Sequence, residues 1–67
     1  MSRSYYIVTY IPAGWSEPEE ERVVPETGDP GPDVDAILDE VWRRGDEPIH
    51  VAWSNGQPLW AADGIDL

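Results

Sequence analysis

One histidine, His50, and a crowd of carboxylates are the side chains that could do chemistry in this chain, which has fourteen Asp and Glu, four Arg, no Lys and no Cys. General acid–base catalysis requires a titratable group held beside a substrate pocket. No carboxylate falls beside His50 in the expected pairing, and no Ser occupies a recognisable nucleophile setting, so His50 reads as an ordinary strand residue. Asp29, Asp33, Asp35 and Glu40 fall at positions 1, 5, 7 and 12 of a calcium-loop spacing. The pattern fails at position 6, where the loop's sharp turn requires glycine and this chain has Val34. Neither a metal site nor a cofactor is expected. The six glycines stand singly and cannot form a phosphate cradle, and nothing sets two carboxylates across a cleft. The chain therefore reads as a non-enzyme.

Charge points elsewhere. The formal net charge is -10, and residues 17–47 hold twelve of the fourteen carboxylates with three of the four arginines. Such a field repels nucleic-acid backbones and anionic membranes, so direct binding to either is not expected. The opening MSRSYYIVTY has no long apolar run and no small-residue cleavage pattern, which places the protein in the cytoplasm with no membrane span. A protein partner with a basic surface fits the charge, with Glu17, Glu19, Glu20 and Glu21 as the electrostatic patch and Trp15 as its apolar anchor. The alternative is a solvating surface that keeps a small aromatic-rich protein soluble, with Trp15 folded back over the sheet.

These residues need elements to hold them. Ser4–Ile11 is dense in aromatic and β-branched side chains and stops at Pro12, so it reads as a strand. Both of its faces are apolar, which predicts a central position or a second face that meets another chain. Residues 12–32 hold five of the seven prolines and read as an acidic loop, within which Glu21–Val24 either forms a short edge strand or does not. A helix is predicted over 33–44, with Val34, Ile37, Leu38, Val41 and Trp42 on one stripe, Pro32 in its first turn and Gly45 just beyond its end. Ion pairs from Asp39 to Arg43 and from Glu40 to Arg44 are expected on its polar side.

Residues 49–62 predict a hairpin through a two-residue Asn55-Gly56 turn of type I′. That register puts Ile49, Val51, Trp53, Pro58 and Trp60 on one face, opposite the helix. The fold class is α+β: a single-layer sheet of three or four strands, built from an N-terminal strand or hairpin and a C-terminal hairpin, with one amphipathic helix on one face. The other face of the first strand, either Tyr6, Val8 and Tyr10 or its alternate, is left uncovered. Tyr6 and Tyr10 then become candidates for a partner or homodimer surface.

A chain of 67 residues makes one domain with a small core. The expected function is a small acidic protein-interaction module, an inhibitor or modulator of a host or cognate protein of the kind that phages and mobile elements encode. A structural protein that acts as a homo-oligomer is the alternative from another class. Three fragments, PAGW at 12–15, LDEVW at 38–42 and NGQPLW at 55–60, resemble MbtH-like accessory proteins. Their order here is permuted relative to that family, and the resemblance implies a chaperone of a larger adenylating enzyme.

Overall fold

In the computed structural model, which describes residues 4–62, four strands form one antiparallel sheet and one helix crosses it. The strands are β1 (Tyr6–Ile11), β2 (Glu19–Val23), β3 (Glu47–Trp53) and β4 (Pro58–Ala61), and the helix α1 spans Pro30–Arg43. The sheet order is β2-β1-β3-β4, so the strand that is apolar on both faces is central. The acidic stretch is not all loop. Glu19–Val23 pairs with β1 from Tyr6↔Val23 to Tyr10↔Glu19 and forms one edge of the sheet.

The helix begins three residues earlier than the sequence pattern suggests. Asp29 is its N-cap, with a side chain that accepts from the Gly31 amide at 3.1 Å, and Pro30 occupies the first turn. Proline costs nothing there, because the first amides of a helix have no intrahelical partner. At the other end, the Gly45 amide donates to the Trp42 carbonyl and the Asp46 amide to the Val41 carbonyl, with Gly45 at φ +85°. This double closure is a Schellman motif.

The core lies between α1 and one face of the sheet: Tyr6 and Val8 from β1, Val51 from β3, and Val34, Ile37 and Val41 from the helix. Tyr6 pairs across with Trp53, and their rings stack at 4.3 Å. Trp53 and Trp60 both pack against this cluster, so the hairpin tryptophans belong to the core. Tyr6 is completely buried and Tyr10 is half-buried against the same cluster. The exposed stripe expected on Tyr6 and Tyr10 is therefore corrected. The side turned away from the helix carries Tyr5, Ile7, Thr9 and Ile11, because residues on a strand alternate between faces.

Three local expectations also change. Trp42 is 59% exposed; it lies roughly 80° round the helix from Val34, at the margin of the stripe, and escapes the sheet. The register between β1 and β3 shifts between Thr9 and Tyr10, so that Pro48 faces Tyr10 and Ile49 is skipped. Pro48, completely buried, takes the core place expected for Ile49. At the hairpin, Gly56 alone has positive φ (+93°), the Gly56 amide donates to the Trp53 carbonyl and the Trp53 amide to the Gln57 carbonyl. That is a three-residue loop with a glycine bulge, not the type I′ turn, and it closes on Trp53 and Gln57.

Val51 is fully enclosed, whereas Val24 is 77% exposed. Urea denaturation should show Val51→Ala losing about 2 kcal/mol of stability, and Val24→Ala staying within about 0.5 kcal/mol of wild type. Equal losses at the two positions would contradict the placement of the core.

Candidate functional site

Among the described residues, Tyr6 and Asp33 are a titratable pair in which each shifts the other. Asp33 is buried, and its carboxylate accepts from the Tyr6 hydroxyl at 2.6 Å, the Thr27 hydroxyl at 2.8 Å and the Thr27 and Gly28 amides at 3.1 Å each. The Tyr6 hydrogen bond above all, helped by the Thr27 and Gly28 donors, holds its pKa below the usual carboxylate value against the opposing effect of burial. Burial, and then the same carboxylate, push the Tyr6 hydroxyl well above the ordinary phenol range. Perturbed pairs mark catalytic sites when a reacting group can reach them. Here four donors occupy both carboxylate oxygens, so the pair serves structure: it fastens the start of α1 to the central strand.

His50 faces Thr9 and Ala61 across the sheet, on the side away from the helix. Among the described residues, no group of three His, Asp or Glu side chains could hold a metal ion.

The residues expected to bind a partner do not form one patch. Trp15, 60% exposed, stands at the tip of the β1–β2 hairpin, where its amide closes a turn onto the Pro12 carbonyl over Gly14 at φ +80°. Glu17 lies in the connection, and both Glu17 and Glu20 are exposed. Glu19 and Glu21 pair across from Tyr10 and Val8 and so project to the helix side, whereas Glu20 and Arg22 project to the other. On that other side the Arg22 guanidinium lies 5.2 Å from the centre of the Tyr5 ring. Tyr6 is inside and Tyr10 is half-buried.

What the sequence did not reveal is a groove between β2 and α1, of about 410 Å³. Its floor is the apolar side of β1 and α1: Tyr6, Val8, Ile37 and Val41. Val23 and Val24 wall it on the β2 side, and Ala36 on the helix side. Around this floor stand five carboxylates, Glu21, Glu26, Asp33, Asp39 and Glu40, against two guanidinium groups, Arg43 and Arg44. Arg43 pairs with Asp39, as helical spacing suggests. Arg44 does not take Glu40. It bridges Glu21 at 3.2 Å and Asp46 at 3.3 Å and lies over the Tyr10 ring, because its position at the helix cap turns it toward the sheet.

No family model, curated protein or solved structure matches the chain. The likeness to MbtH-like proteins therefore rests on its three short fragments alone. No helix among the described residues is long and apolar enough to cross a membrane.

The Asp33 arrangement has a pH signature. A carboxylate whose folded pKa is lowered contributes stability that is complete above its unfolded pKa and is lost as pH falls through the folded value. The stability difference between wild type and Asp33→Asn should be greatest near neutral pH and shrink through the acid range, measured by urea titration at several pH values. Tyr6→Phe should cost about 1–2 kcal/mol at neutral pH through loss of the hydrogen bond. A difference independent of pH would contradict an ionised Asp33.

Proposed function

We propose that this protein is a small interaction module that holds a basic segment of a protein partner in the groove between β2 and α1, and so inhibits or modulates that partner. One observation carries the reading: a groove over the edge of the core whose apolar walls, Val23, Val24 and Ala36, reach solvent and are bordered by carboxylates. Apolar contact supplies affinity in such a groove, while the ring of charge speeds encounter and rejects acidic competitors. Glu26 and Glu40 are both exposed on the rim. The net charge of -10 extends the attraction beyond the rim. Trp15 lies outside the groove lining and gives a second contact for a partner that extends past the hairpin tip.

Amide chemical-shift mapping with matched basic and acidic peptides tests this. A basic peptide with one apolar residue should perturb Val24, Ala36 and Glu40, and the effect should fade with added salt. The double charge reversal Glu26→Lys/Glu40→Lys should weaken binding about tenfold without loss of fold. Binding that ignores both salt and this reversal would end the proposal.

A second reading draws on the other side of the sheet. Tyr5, Ile7, Thr9 and Ile11 form a row that α1 does not cover, and Glu20 and Arg22 offset one another beside it. Two copies pressed together through these faces would keep their acidic helices on opposite outer surfaces, as far apart as the fold allows. Sedimentation should then show a dimer at tens of micromolar that Ile7→Glu dissociates. A strict monomer at that concentration would rule it out.

A further inference from the structure

The edge beside the groove has a definite hydrogen-bonding pattern. In an antiparallel sheet, successive residues of a strand turn their amide and carbonyl groups to alternate sides. The Ser54 amide donates to the Tyr5 carbonyl, so Tyr5 addresses β3. By alternation Tyr6, Val8 and Tyr10 address β2, where their partners are Val23, Glu21 and Glu19. The two residues between these, Glu20 and Arg22, therefore point their N–H and C=O groups outward from the sheet. At the same edge, Glu19, Glu21 and Val23 project toward the helix side.

We propose that the partner segment binds as a fifth strand, pairing with the outward backbone groups of Glu20 and Arg22 while every second side chain drops into the β2–α1 groove. This rests on the reading of the groove as a site for a basic segment and adds the mode of recognition. Strand addition gives affinity through main-chain bonds and specificity through alternate side chains.

Every pair in this sheet is antiparallel, and an antiparallel addition reads β2 from Val23 back to Glu19. The helix-side residues of the partner then meet Val23, Glu21 and Glu19 in turn, which calls for the pattern apolar–x–basic–x–basic. A second copy of β2 fits this edge poorly. Centred on Glu20 it opposes Glu19, Glu20 and Glu21 with like charges. Centred on Glu21 it pairs Glu20 with Arg22 but sets Glu21 against Glu21 and brings together two chains of net charge -10. The occupant is a cationic extended peptide.

A synthetic probe, acetyl-Ser-Val-Thr-Arg-Lys-Arg-Ser-amide, tests both levels by fluorescence anisotropy of a labelled form. Its Thr and Lys would lie opposite Arg22 and Glu20 and donate their amides, whereas its Val and central Arg would turn theirs to solvent. N-methylation of Thr and Lys should weaken binding about tenfold or more, and N-methylation of Val and central Arg should leave it within about threefold.

On the protein side, Arg22→Pro removes an outward donor and no bond to β1, which the edge position tolerates. It also makes the surface more acidic, so charge alone predicts tighter binding of the probe, whereas strand addition predicts weaker binding. Circular dichroism confirms the fold of this variant. Equal binding of both methylated probes would overturn strand addition and leave the groove reading standing. Failure of the unmethylated probe to bind at low salt would overturn both.

Discussion

A single helix has to cover a four-stranded sheet, and it is too narrow to do so. An α-helix with its side chains is about 10 Å across, whereas neighbouring strands are spaced about 4.8 Å apart, so one helix shelters roughly two of them. Here α1 lies over β3 and β4 and its near side reaches β1 at Tyr6 and Val8. The helix-facing side of β2 is left as the wall of an open groove, over a floor where Tyr6 and Val8 of β1 are buried against α1. The groove is thus a consequence of element number and placement, and the side chains along it decide what it can hold.

What sets that placement is the pair of fastenings at the helix ends. At the start, Asp33 takes the Tyr6 hydroxyl from the central strand and three donors from the preceding Thr27-Gly28 turn. At the end, the Schellman closure over Gly45 carries the chain back into β3, and Arg44 reaches across to Glu21 on β2. The Ala13 amide donates to Asp46 at 2.8 Å, which ties the first hairpin to the same corner. Charge-assisted bonds such as the one from Tyr6 are stronger than neutral ones when the site is dry. In a chain whose core is so small, they fix where the helix sits as much as apolar packing does.

Local patterns made most of the fold legible. The apolar stripe of Val34, Ile37 and Val41 marked the helix, and the two apolar faces of β1 marked the central strand. Asp29 followed by Pro30 is also a readable helix start, and Pro32 with Asp33 offers a competing one three residues further on. Residues 19–21 are three consecutive glutamates, poor strand formers by propensity, and β2 forms because pairing with a strongly strand-forming β1 outweighs that preference. The inward side of β1 was undecidable from sequence, since both sides are apolar. The bulge that skips Ile49 and admits Pro48 depends on cross-strand fit, which no single segment encodes.

The candidate site was less legible because its parts are distant in sequence. Tyr6 and Asp33 are 27 residues apart, and Arg44 and Glu21 are 23 apart. Nothing in the local spacing of any of these residues announces its partner. The acidic cluster was visible at once, but its division between two sides of a strand required the register.

The two sheet edges show different ways of discouraging unwanted pairing. β4 is short, begins with a proline that has no amide to offer, and has a shift in its register with β3 between Val51 and Ala52. That protection is indifferent to the identity of an approaching strand. β2 keeps an unbroken register with β1 and relies on charge. Charge discriminates: it repels another copy of itself and any acidic segment, and it attracts a cationic one. An edge closed to all strands needs no groove beside it, whereas an edge open to one class of strand gains specificity from side-chain pockets next to its backbone. In this molecule the edge protected by charge is the one that borders the groove.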